Sequence, residues 1–306
     1  MGIADTHADV KLYDLVDVTS PSVLLAEVHT IVETMYPGFD FSFLDKAFAD
    51  SKRLFRGKYP GYRSSTTMYH NLQHTVEVFL CCARLLHGAA QDNITVNARM
   101  MELTLVSSLL HDVGLIQEEN DMEGTGAKYT VGHEQRSIAF MKDYFHEAGR
   151  PGFDIHDASK MIECTCLGVD ATNIAYSDDT TRFCAQILAT ADLLAQMADR
   201  EYLEKLMLLY LEFEEAGLPY ASPRDLLEKT HGFYAMMVGR MDGPLGGVRR
   251  FSLAHFTSKW DVQEDLYDKS IQANMAYLYL VLEEEQDNYL NKLKRGGIVQ
   301  KIEPLL

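Results

Sequence analysis

What this 306-residue chain lacks narrows its class. No apolar run approaches the roughly 20 residues that cross a bilayer. The N-terminal Met-Gly-Ile-Ala-Asp-Thr has neither the basic region nor the apolar core of a secretory signal. A membrane partner is therefore not expected and a cytoplasmic location is. Basic residues are scarce, 28 Lys and Arg against 45 Asp and Glu, for a formal charge of −17. That balance disfavours a nucleic acid polymer, which is gripped by basic patches. A small anionic ligand stays open, because a bound cation can supply local positive charge. The five cysteines are odd in number and fit reduced thiols rather than a disulfide framework. Cys164 and Cys166 are two apart, which is not the spacing of a structural zinc knuckle. Gly2 and Thr6 fit the loose N-myristoylation pattern, as many unmodified proteins do. Sustained period-two alternation, hairpin turn signals, internal repeats and low-complexity tracts are all missing, which excludes the β classes and solenoids.

What remains is helical spacing. It predicts helices over 22–35, 41–55, 67–86, 98–110, 132–148, 155–167, 181–198, 199–216 and 223–241, then a breaker at 242–248 and one long amphipathic helix over 265–295. The Gly- and acid-rich stretch 117–130 reads as a lid. The expected fold is an all-α bundle of about a dozen helices in a single domain spanning 1–306.

Polar residues inside the apolar helices carry the chemistry. The helix 98–110 runs into His111-Asp112, an imidazole beside a carboxylate at a buried helix end, which is a ready pair of metal ligands. Upstream stands Tyr69-His70-Asn71-Leu72-Gln73-His74, with two histidines four apart and so on one face if the segment is helical. Downstream, Asp192 is surrounded by Ile187, Leu188, Ala191, Leu193, Leu194 and Met197. An ionised carboxylate among them is costly unless a cation or a salt bridge compensates it.

His74, His111-Asp112 and Asp192 together resemble the signature of the HD superfamily of metal-dependent phosphohydrolases, a His, a His-Asp pair and a distant Asp on separate helices. The segment from Tyr69 to Thr75 is also similar to the motif that opens cyclic-nucleotide phosphodiesterase catalytic domains. The resemblance covers roughly 68–197. It implies an HD/PDEase-like helical bundle. It implies His74, His111, Asp112 and Asp192 as metal ligands, Asp112 as a bridge between two ions, and His70 as the proton donor to the leaving group. His133, in Gly132-His133-Glu134, resembles the additional histidine of binuclear members and stands as a second-metal ligand or substrate contact. Two departures bear on the substrate. Val113-Gly114-Leu115 follows the His-Asp pair where the phosphodiesterases have a further His-Pro-Gly, and the spacing from Asp112 to Asp192 is shorter than theirs.

The implied activity is hydrolysis of a phosphodiester or phosphomonoester, nucleotides included, by water activated on one or two divalent ions. Mg or Mn leads, with Fe, Ni and Zn also compatible. The expected partners are a small phosphorylated substrate and a second copy of the chain in a homodimer. Lys128 and Arg136 are the nearest basic candidates in sequence for gripping phosphate. Two other classes stay open, an HD-type di-iron oxygenase and a non-catalytic ligand-binding regulator.

Overall fold

The computed structural model describes residues 10–284 and 288–305. The N-terminal match at Gly2 and Thr6 lies outside the described residues. Among those described, the chain forms α-helices and no strand. The helices are α1 (Leu12–Leu15), α2 (Pro21–Met35), α3 (Ser42–Phe55), α4 (Leu72–Gln91), α5 (Ala98–Leu110), α6 (His133–Glu147), α7 (Gly152–Glu163), α8 (Asp179–Ala198), α9 (Tyr202–Glu215), α10 (Pro223–Asp242), α11 (Phe251–Trp260), α12 (Leu266–Leu282) and α13 (Ile298–Ile302). The only extended pairings are two isolated antiparallel bridges, Arg56 with Ser64 and Tyr62 with Glu118. The expected all-α bundle is what forms. No helix among the described residues is long and apolar enough to cross a membrane, and all five cysteines are free thiols.

Helix α4 is the axis, packed against α2, α5, α8 and α11. Its run from His74 to Ala89 is buried except at Glu77, because small residues (Cys81, Cys82, Ala83, Gly88) alternate with large apolar ones on every side. Gly88 sets the closest approach: a Cβ there would lie 1.7 Å from the Phe251 carbonyl oxygen, so α11 crosses α4 backbone against side-chain-free backbone. Helix α11 is absent from the sequence reading, which places nothing between the 242–248 breaker and residue 265. Its burial of Phe251, Ser252, His255 and Phe256 follows from that crossing.

Three further boundaries differ from expectation for identifiable reasons. Helix α4 begins at Leu72 rather than near 67, because the Asn71 side chain accepts from the Gln73 and His74 amides and caps it there. His70 is thus in the lead-in turn and not stacked one helical turn below His74. Helix α12 stops at Leu282 instead of continuing to 295, with the Arg224 guanidinium donating to the Leu282 and Glu284 carbonyls at its end; part of that expected helix, 285–287, lies outside the described residues. The segment 117–130 is not a free lid. The Gln117 side chain donates to the Glu123 carbonyl, Thr125 donates to Glu215 through both its amide and its hydroxyl, and Tyr129 Oη donates to Asp121.

Candidate metal centre

Each side chain of the centre is brought in by a different local device. His74 stands in the first turn of α4, set by the Asn71 cap. Helix α5 is buried along nearly its whole length, so its C-terminal end, where His111 caps it and Asp112 follows, lies inside the protein. His133 opens α6 after Gly132, whose φ of +91° makes the turn into the helix. Asp192 sits mid-way along α8.

These five side chains converge. His74 Nε2 lies 3.1 Å from Asp192 Oδ1 and 3.4 Å from Asp112 Oδ2. His111 Nε2 lies 3.3 Å from Asp112 Oδ2 and 3.6 Å from Asp192 Oδ1. Ligand atoms about 2.1 Å from one ion stand about 3.0 Å apart in an octahedron and about 3.4 Å apart in a tetrahedron; the 3.1, 3.3 and 3.4 Å spacings fall in that range and the 3.6 Å spacing of His111 from Asp192 lies just beyond it. Two of the atoms, His111 Nε2 and Asp112 Oδ2, are buried with no hydrogen-bond partner, although buried polar atoms are otherwise nearly always paired. The buried His74, His111 and Asp112 form a group able to hold a metal ion. The other oxygen of the same carboxylate, Asp112 Oδ1, lies 3.3 Å from His133 Nε2, which suits a bridging carboxylate.

The imidazoles are oriented for the task. His111 Nδ1 donates to the Ser108 carbonyl at 2.8 Å and His133 Nδ1 donates to the Thr130 carbonyl at 2.8 Å. Each bond leaves Nε2 facing the centre, the usual outer support of a histidine ligand. Without a cation, protons fill the charge gap. Burial works against the imidazolium of His74, but contact with Asp112 and Asp192 outweighs it and raises the group to about 9. Burial likewise opposes, and Asp112 with Glu134 outweighs, at His133, also raised to about 9. His111 is driven well above its ordinary value against its burial by Asp112 and Asp192. Burial would raise both carboxyls, yet the imidazoliums hold Asp112 and Asp192 well below the usual range.

The residues after the His-Asp pair explain how α6 is held close. A Cβ on Gly114 would lie 2.0 Å from the His133 carbonyl oxygen and 2.7 Å from the Ser137 amide nitrogen. The Gly114 amide donates to Ser137 Oγ at 2.9 Å, and Arg136 Nε donates to the Gly114 carbonyl at 2.7 Å. This double strap sets His133 against Asp112. Gly114→Ala is expected to push α6 outward and destabilise the fold by about 1–3 kcal/mol or more, with weaker binding at the His133 side of the centre. A urea melt and a metal titration read the two effects; a melt within about 0.5 kcal/mol of the parent would mean that α6 yields without cost.

Arg136 is therefore spent on the strap and stacks 3.7 Å over the Tyr129 ring. Lys128 is paired with Asp121 at 2.5 Å. Neither is among the residues lining the cavity at the centre, so the structure does not bring these two to the place a phosphate would occupy. His70 does reach it: its ring centroid is 6.0 Å from that of His74 and 6.1 Å from that of His133.

The residue that sequence reasoning missed is Glu212. Its carboxylate is buried, 3% exposed, and accepts from the Tyr69 amide and from His70 Nδ1, both at 2.6 Å. The lead-in turn and the His70 ring are thereby fixed by a residue 142 positions away. The signal was available: Glu212 follows the apolar run Leu206 to Leu211 of α9, the same anomaly that marks Asp192.

The centre opens into a cavity of about 540 Å³ lined by His70, His74, Asp112, His133 and Asp192 together with residues of α9 and α10. Fold and site together define an all-α protein with a buried His-His-Asp group positioned for a metal ion. A family profile described as Npun_R2479-like matches residues 118–242. The match is less than half of the chain; it includes His133, Asp192 and Glu212 and begins after His74, His111 and Asp112. No curated protein and no solved structure gives a significant match.

Proposed function

We propose that the chain is a metal-dependent phosphohydrolase that cleaves a phosphodiester or phosphomonoester with water. The observation that carries this reading is the pair of buried, unpartnered ligand atoms, His111 Nε2 and Asp112 Oδ2, inside the His74 and Asp192 cluster at the end of an open cavity. A structural metal site is closed on all sides; this one is not. His74, His111, Asp112 and Asp192 would hold one cation, with Asp112 Oδ1 and His133 available to a second. Two carboxylates with imidazoles suit Mg²⁺ or Mn²⁺, and Fe²⁺, Ni²⁺ or Zn²⁺ as well. Such a cation, when bound, neutralises phosphoryl oxygens and lowers the pKa of water.

The chain's own groups supply the remainder. As the oxygen of water bonds to phosphorus and the ester P–O bond breaks, His70 delivers a proton from Nε2 to the departing oxygen. Glu212, bonded at Nδ1, holds the ring in that direction. The test is a panel of nucleoside monophosphates, cyclic nucleotides and simple phosphate esters with Mg²⁺, Mn²⁺, Fe²⁺ and Ni²⁺ supplied in turn. Release of phosphate or a phosphomonoester that stops on chelation and proceeds without oxygen is the expected result. Product formation only with O₂ consumption would replace this reading with an oxygenase.

A pH dependence follows from the raised histidines. At pH 7, His74, raised to about 9, and His111, raised well above its ordinary value, carry protons in the metal-free protein, and coordination needs both neutral. Binding of one ion should release about two protons, and about three if His133 also coordinates. Affinity should therefore rise with pH up to about 9 and fall as pH drops. Titration calorimetry in two buffers of different ionisation enthalpy measures the number released; zero release would place the ion elsewhere.

A further inference from the structure

Besides the candidate ligands, the cavity is lined by the apolar side chains of Leu193, Leu206, Leu209, Phe213, Leu226 and Phe233. Its volume, about 540 Å³, falls in the range of pockets that enclose small organic ligands, about 300–1,000 Å³. Three of the polar groups on these walls are engaged already. Thr230 Oγ1 donates to the Leu226 carbonyl and Thr165 Oγ1 to the Ile162 carbonyl, each at 2.8 Å, and Lys229 is paired with Asp225 at 2.7 Å. Lys229 is also the one Lys or Arg among the lining residues. A sugar or polyol set against the apolar part of this wall would give up hydrogen bonds to water, a cost that a hydrocarbon does not meet. The ligand's charge has one favourable place, beside the cation that His74, Asp112 and Asp192 would hold.

We propose that the substrate of the metal centre carries a hydrocarbon body, alkyl or aryl, seated against α9 and α10, with its anionic head beside the cation that His74, Asp112 and Asp192 would hold. The head-group half of this statement rests on the phosphohydrolase reading; the hydrocarbon half rests on the cavity wall. A nucleoside body is the competing occupant, and its case depends on the Gln196, Tyr202 and Tyr220 side chains, which also line the cavity.

The experiment measures, by calorimetry on the Mn²⁺-loaded protein, the binding of methylphosphonate, hexylphosphonate and uridine 5′-monophosphate. Each methylene fully removed from water is worth about fourfold in affinity, so hexylphosphonate should bind at least about tenfold more tightly than methylphosphonate, and more tightly than the nucleotide. Equal affinity for the two phosphonates, or a preference for the nucleotide, overturns the proposal. Phe233→Ser should reduce the hexyl-to-methyl ratio. Met236→Gln should do the same, and because Met236 is 59% exposed that variant folds even if the first does not. A ratio unchanged in the folded variants puts the hydrocarbon elsewhere and also overturns it. Turnover of p-nitrophenyl diesters is measured separately on the same protein. Chain-length-dependent binding with no hydrolysis of any ester rejects the reaction and keeps the hydrocarbon site; hydrolysis without chain-length dependence does the reverse.

Discussion

Asp112→Ala is expected to abolish bound metal and to lower kcat by about 10³-fold or more, the loss of a cation's several kcal/mol of charge stabilisation. Among the described residues, Asp112 is the one whose two carboxylate oxygens reach different imidazoles, Oδ2 toward His74 and His111 and Oδ1 toward His133. Its removal should therefore affect both halves of the centre, whereas His133→Ala should affect only one. The helical signal should survive, because α5 is held by an apolar surface that the substitution does not touch. Asp192→Ala should also lose metal, though the bridge to His133 would remain. Metal analysis of the purified variants, with circular dichroism as the folding control, decides the matter. Full metal content in both variants would mean that the ligands lie elsewhere.

His70→Ala, by contrast, should retain metal and lose rate in proportion to how poor the leaving group is. With an alkyl leaving group the loss should approach the general-acid range of about 10²–10⁴-fold; with a nitrophenyl group, which needs little protonation, it should be small. The structure adds a second variant to this test. Glu212 touches neither the ligand cluster nor the cavity wall, and acts through His70 and the Tyr69 amide. Glu212→Gln should show the same leaving-group dependence as His70→Ala with a smaller loss, and unchanged metal content. Equal losses on both esters from His70→Ala would make His70 a structural residue, and metal loss from that variant would make it a ligand.

Much of the centre was legible before any coordinates because its chemistry violates its surroundings. Asp192 among Leu193, Leu194 and Met197, and His111-Asp112 at the end of an apolar helix, are expensive unless something compensates them. That anomaly can be read one residue at a time. The helices were legible for the complementary reason, since 3.6-residue spacing of apolar side chains records which face is buried.

The misplaced features are those in which a distant partner overrides a local pattern. Apolar spacing cannot see that the Asn71 side chain stops α4 from extending back over His70, or that Arg224 takes the last carbonyls of α12. It cannot see that Glu215 and Gln117 pin the presumed lid, or that Arg136 is engaged by the Gly114 carbonyl and not by a ligand.

The sequence by itself determined the all-α class and the identity of the candidate ligands, because burial of apolar faces and the cost of buried charge are properties of short stretches. Tertiary structure alone decided that the four candidate ligands meet, with imidazole-to-carboxylate separations of 3.1–3.6 Å. It also decided that Glu212 orients His70, and that α9 and α10 add apolar side chains to the cavity at the centre. Those distances are set by how α4, α5, α8 and α9 cross, and crossings depend on the summed shapes of many side chains, such as the missing Cβ atoms at Gly88 and Gly114, which no single stretch encodes.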